Sequence, residues 1–167
     1  MLKLGIFSIK TLFFTIKLSP LLSYYFVFLQ SKTASMKIQF RINAPLKTED
    51  VIEVIKSSGL NRPVDDVPRI EAMLKNSNLV VSAWDGIELI GIARSVTDYH
   101  YCCYLSDLAV KKEHQKAGIG KALIDFTQQT IGEQTMLLLL SAATAMEYYP
   151  KLGFEKVENG FTIKRKS

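Results

Sequence analysis

Tyr101-Cys102-Cys103-Tyr104-Leu105-Ser106-Asp107-Leu108-Ala109-Val110 runs through Lys111-Lys112-Glu113-His114 into Gln115-Lys116-Ala117-Gly118-Ile119-Gly120, and this stretch decides the fold. Its first part is rich in aromatic and apolar residues and ends in Leu108-Ala109-Val110, which suits a buried strand. Beyond it, Ile119, Ala122, Leu123 and Phe126 recur at helical spacing, and Gly132 supplies a stop. The two glycines fall where that helix begins. A strand, a glycine loop and a helix N-terminus together make an anion site. Free backbone N–H groups point outward there, and the helix dipole adds to them. Glycine lets a phosphate approach without meeting a Cβ.

Gln115, Gly118 and Gly120 give this stretch its resemblance to the GNAT superfamily of acyl-CoA-dependent N-acetyltransferases. That family carries Gln/Arg-x-x-Gly-x-Gly/Ala at the start of the helix after its fourth strand. The hexapeptide alone is weak. Two flanking features strengthen it: Leu108-Ala109-Val110 just upstream, and Tyr149-Pro150-Lys151-Leu152-Gly153-Phe154 about one βα unit downstream, where the family shows Tyr-x-x-x-Gly-Phe. The resemblance runs from Lys37 to the C-terminus and is densest from Asp107 to Phe154. It implies an α/β class fold with a mixed, strongly twisted sheet. Helices cover both faces, and the fourth and fifth strands splay apart around the acyl-CoA.

The composition suits such a domain. Hydrophobic content of 48% and charged content of 22% are globular values. The net charge of +5 is unevenly placed. Lys3, Lys10, Lys17 and Lys32 precede the first acid, Glu49, so from Met36 onward 17 basic residues face all 16 acids. A near-neutral domain argues against a nucleic-acid partner. The neighbours Cys102 and Cys103 point to opposite faces of a strand, which disfavours a mutual disulfide and suits a reduced, cytoplasmic protein. Two cysteines and two histidines without a ligand spacing give no metal site.

Residues 1–35 read differently: apolar, aromatic, sprinkled with lysine and free of acid. Three readings stay open for them. They are a signal, a membrane anchor whose uncharged run Leu18–Leu29 is short for a span, or an upstream stretch added by a mis-assigned start at a gene that begins with Met36. The resemblance starts just after Met36, which favours the last. A membrane partner is expected only if the anchor reading holds. The domain is then residues 36–167.

Within it, Ile38, Phe40 and Ile42 alternate as a first strand. Helices are expected over Thr48–Ser57 and Val67–Lys75, and strands over Leu79–Trp84 and Ile87–Val96 joined by Asp85-Gly86. After the central strand and its helix, Thr135–Leu140 reads as a buried strand. Thr144-Ala145-Met146-Glu147 is a capping-box pattern that opens a last helix, which Gly153 ends. Phe154–Val157 and Phe161–Lys164 complete the order β-α-α-β-β-β-α-β-α-β-β as a hairpin. No internal repeat or low-complexity linker interrupts it.

The resemblance also implies the chemistry. Acetyl-CoA is the expected co-substrate, with its acyl carbonyl and pantetheine along Leu108, Ala109 and Val110. Its pyrophosphate would rest on the amides of Gln115, Lys116, Ala117, Gly118, Ile119, Gly120 and Lys121. Lys111, Lys112, Lys116 and Lys121 would form a positive rim, or else a solvated polar turn. The implied reaction is direct attack of a primary amine, from a small molecule or a protein, through a tetrahedral intermediate. Tyr149 matches the family's general acid, although Pro150 after it disturbs helix geometry and brings Tyr148 into question. Asp107, Asp98 and His100 are candidate bases, and an ordered water is the alternative. A non-catalytic acyl-CoA-binding or regulatory domain on the same scaffold stays open, as does a homodimer.

Overall fold

The computed structural model describes residues 38–166. The expectations for residues 1–35 lie outside them. Strand β1 (Gln39–Ile42) is followed by helices α1 (Thr48–Ser58) and α2 (Val67–Lys75). Strands β2 (Leu79–Asp85), β3 (Glu88–Thr97) and β4 (Cys102–Val110) come next, then helix α3 (Ile119–Ile131) and strand β5 (Met136–Leu138). The sheet runs β1-β2-β3-β4-β5 in sequence order. Its first three pairings are antiparallel, and β4–β5 is parallel. This is the mixed α/β fold expected. Among the described residues no helix is long and apolar enough to cross a membrane.

Local signals explain the helix ends. Glu49 and Asp50 in the first turn of α1 suit its dipole, and Gly59 stops it in the left-handed region at φ 78°. Asp66 caps α2, its carboxylate accepting the Arg69 N–H at 3.1 Å. The helices then divide between the two faces of the sheet. On one face α3 lays Ile119, Leu123 and Ile124 against Leu79, Val81, Ile90 and Leu105. On the other, Val51, Val54 and Ile55 of α1 and Ile70 of α2 pack on Trp84, Leu89, Ile92 and Ala109. Each fully buried Leu or Ile contributes about 1.5–3 kcal/mol, so both layers are held chiefly by burial.

The turn from β3 to β4 is organised by Asp98. Its Oδ1 accepts the N–H groups of His100, Tyr101 and Cys102 at 2.8–3.0 Å. Those bonds, from Tyr101 first and then His100 and Cys102, hold its pKa far below the usual carboxylate range. A lowered folded pKa contributes stability above the unfolded value of about 3.9 and loses it as pH falls toward the folded value. The melting-temperature gap between the native protein and Asp98→Asn is therefore expected to be constant near neutrality and to narrow below about pH 4. A gap independent of pH would refute this role.

The C-terminal expectations need correcting. Instead of a last helix, the chain makes two short 3-10 turns, Ala143–Ala145 and Tyr149–Leu152. Pro150 explains the break, because it lacks an N–H and its ring would meet the carbonyl four residues back. Strand β5 is three residues long rather than six. Neither Phe154–Val157 nor Phe161–Lys164 forms a strand. Phe161 and Ile163 stand fully exposed. A hairpin with no helix layer beneath it has too little to bury.

Candidate active site

Strand β4 changes partners halfway along. Cys102, Cys103 and Tyr104 pair with Met136, Leu137 and Leu138, and the parallel ladder then ends. Just beyond, a bulge interrupts the β3–β4 ladder: Arg94 faces Asp107 and Ser95 faces Leu105, which leaves Ser106 as the extra residue. The bulge turns the strand over. Cys103 and Leu105 pack on the α3 face before it, whereas Ala109 packs on the α1 face after it. The two strands thus part where β4 is also re-aimed.

The register shows which backbone groups face the gap. Lys111 N–H donates to the Ile90 carbonyl at 2.8 Å. Alternation along an antiparallel ladder then commits the main-chain groups of Ala109 and Asp107 to β3 as well. Leu108 and Val110 turn theirs to the opposite edge, where β5 has already ended. The Val110 carbonyl accepts a hydrogen bond from Gln115 Nε2 at 3.0 Å. Gln115 also reaches the Ser58 carbonyl at 3.4 Å, so this side chain braces the loop against β4 and α1.

The loop ends in a helix N-terminus with free amides. Lys116 and Gly118 both adopt left-handed conformations, at φ 64° and 81°. Gly118 is the N-cap of α3 and offers no side chain to its amides. The helical ladder begins with Ala122 N–H donating to the Gly118 carbonyl. The N–H groups of Ile119, Gly120 and Lys121 precede it and point out of the helix end. Gln115, Lys116, Ala117 and Gly118 are exposed around this point. Of the four lysines expected on the rim, Lys112, Lys116 and Lys121 are exposed, and Lys121 pairs with Asp125 at 2.6 Å. Lys111 is a correction. It is buried, donating to Glu53 and Glu88. Burial works against its charge, but those two carboxylates outweigh burial and push its pKa up. It ties α1 to the sheet and takes no part in the rim.

Asp107 is not free to act as a base. Its side chain is 1% exposed, with Arg62 Nε on one oxygen and Arg94 Nε on the other, both at 2.5 Å. Arg62 also donates to the Ser106 carbonyl, and Arg94 to the Ser106 and Ser77 hydroxyls. A carboxylate enclosed by two guanidinium groups cannot meet an incoming amine. It positions the α1–α2 loop against the bulge. Asp98 is likewise spent on its turn, and His100 is exposed beside it. In the sequence, Asn61-Arg62-Pro63 reads as a loop flanking the acceptor, with no sign that Arg62 pairs with Asp107. Nothing in a linear pattern pairs residues 45 apart.

The two tyrosines divide the space beside α3. The Tyr148 hydroxyl lies against the first turn of that helix: a methyl group built on Gly120 would stand 2.9 Å from its oxygen. Val110 Cγ2 is 4.0 Å from the same built methyl group. Tyr149, the expected acid, packs instead. Its ring meets Phe154 edge-on at 5.5 Å and faces an apolar groove of about 1210 Å³ between β5 and the C-terminal segment. Burial pushes both phenols up, so both are protonated at neutral pH.

Residues 55–164 match the family model of the acetyltransferase (GNAT) domain. Histone acetyltransferase TAP1 of Glycine max is 31% identical over 111 residues, covering 59% of this chain and 48% of that protein. The chain spans about half the length of the curated relatives it matches, 48% and 45% for the first two. Among solved structures, a probable acetyltransferase from meticillin-resistant Staphylococcus aureus superposes with a TM-score of 0.66 at 24% identity, covering 77% of this chain and 100% of that one. An aminoglycoside N-acetyltransferase, AAC(6')-Iy in complex with CoA, superposes with a TM-score of 0.61 at 17% identity over 78% of this chain and 96% of its own. At these identities the structures speak for the fold.

Proposed function

The chain belongs to the GNAT acetyltransferase family, and from that premise we propose that it transfers an acetyl group from acetyl-CoA to a primary amine by direct attack. The observation that carries this reading is the edge of β4 left open at Leu108 and at the Val110 N–H, which leads directly into the uncapped N-terminus of α3. An extended pantetheine arm can pair with that edge as an added strand would. Its pyrophosphate then meets the amides of Ile119, Gly120 and Lys121, with Lys112 and Lys116 beside them. Acetyl-CoA supplies an activated thioester. The amine nitrogen bonds to its carbonyl carbon, the carbon–sulfur bond breaks, and the amine's extra proton passes to water. The described carboxylates of the site are committed to other partners, so an ordered water is the base of choice. Tyr148, whose hydroxyl stands at the first turn of α3, is the phenol assigned to hydrogen-bond the departing sulfur, and Tyr149 is the alternative.

Loss of the loop's left-handed turn tests the cofactor half of this reading. In Gly118→Val a Cβ must occupy φ 81°, a strain of about 1–3 kcal/mol, although the space around it is open. Acetyl-CoA affinity, read by calorimetry, is expected to fall about tenfold or more while the fold survives. Unchanged affinity in a folded variant would remove the loop from the binding site. Release of free thiol from acetyl-CoA with a panel of amines tests the catalytic half. Tight binding with no amine-dependent thiol release would favour an acyl-CoA-binding domain instead.

A further inference from the structure

Behind the bulge lies a cavity of about 580 Å³, a small-molecule size, lined by Arg62, Arg69, Arg94 and Ser106. We infer that the acceptor is an amine that also carries an anionic group, a carboxylate or phosphate, seated on Arg62, Arg69 and Arg94. This rests on the acetyltransferase reading and names the class of its second substrate.

Charge carries the argument. The cavity walls hold four arginines, Arg62, Arg69, Arg94 and Arg165, together with Lys166, yet no carboxylate lines the cavity among the described residues. Asp107 lies behind the wall with both oxygens already taken, one charge against several. The domain as a whole is close to neutral, so this is a local concentration and not a general basic surface. Arg94 is buried to 7% exposure and held in place by Ser77, Ser106 and Asp107. Among the described residues the Arg69 guanidinium makes no ion pair, so its N–H fork is available. Planar forks of this kind suit carboxylate and phosphate oxygens. The same field repels a second cation on the acceptor.

Position agrees with charge. Ser106 lines the cavity, and Leu108 at the open edge stands two residues further on, about 7 Å along the strand. An anion held in the cavity therefore leaves room for a short aliphatic spacer before an amine reaches that edge.

Three probes of one length separate the outcomes: ε-aminocaproate, its neutral amide, and hexamethylenediamine. Each is titrated calorimetrically into the full chain with CoA present and then assayed for thiol release from acetyl-CoA. A phosphonate analogue of ε-aminocaproate tells which anion is preferred. Either anion is expected to bind about tenfold or more tightly than the amide, with the diamine weakest. Arg69→Glu should erase that preference, and Arg69→Lys should retain part of it. Equal binding of all three probes, no binding of any, a preference for the diamine, or an unchanged preference in Arg69→Glu would each overturn the inference. Anion preference without thiol release from any amine would leave the pocket standing and overturn the acetyl-transfer reading instead.

Discussion

Asp107→Ala is expected to cost about 3–5 kcal/mol of stability, because it strands the buried charge of Arg94 and frees Arg62 from the bulge. Arg94 is the larger part of that cost. Its side chain is 8% exposed, against 23% for Arg62, which can relax toward water. Asp107→Asn keeps an acceptor of the same shape and should lose less. Arg94→Met added to Asp107→Ala should recover part of the loss, since the stranded charge goes with it. Urea unfolding of the four proteins measures these differences. The same series separates positioning from base catalysis. A base lost to Asn would cut turnover by about 10²–10⁴ at nearly native stability. A positioning residue lost to Asn lowers stability and leaves most of the turnover at a permissive temperature. Native stability with abolished turnover in Asp107→Asn would restore the carboxylate as the base.

What the sequence conveyed, and what it hid, follows from the range of the signals. Asp85-Gly86 and Gly132 mark a turn and a helix end through local backbone preference, and the structure places those elements within a residue or two of expectation. The loop from Gln115 to Gly120 is local too, since left-handed backbone and an uncapped helix end are properties of a few consecutive residues. The Ser106 bulge is not. Simple alternation would put Asp107 on the same face as Cys103 and Leu105, and only the pairing with β3 shows the reversal. The Asp107–Arg62 pair and the Lys111–Glu53 pair cross 45 and 58 residues, so they appear only when α1 and its loop pack on the sheet. Lysines beside a phosphate loop look alike in a sequence. Burial alone distinguished Lys111 from Lys112. Pro150, by contrast, did announce the end of helical geometry, and the capping-box pattern at Thr144 could not overcome it.

Tyr148→Phe is expected to lower turnover by about 10²–10⁴ while acetyl-CoA affinity and fold survive, because only a hydroxyl is lost. The phenol stands against the first turn of α3, and Val110 Cγ2 approaches the same Gly120 position. Burial, and then Asp125, raise its pKa above the reference of about 10, so it holds its proton throughout the neutral range. A free thiol titrates near 8.5, so full proton transfer is uphill on reference values of about 10 and 8.5. A hydrogen bond that strengthens as charge grows on sulfur still lowers the barrier. Tyr149→Phe should be nearly silent, since that ring is packing against Phe154. Gly120→Ala supplies an independent check. Its methyl would sit 2.9 Å from the Tyr148 oxygen, and the flexible phenol would swing aside. Turnover should therefore fall in Gly120→Ala without a matching loss of affinity, and the combination with Tyr148→Phe should fall no further than Tyr148→Phe alone. Additive losses would mean that Gly120 acts on the phosphates and not through the phenol. A silent Tyr148→Phe beside a crippled Tyr149→Phe would move the acid one residue on, and two silent variants would leave the thiolate to solvent.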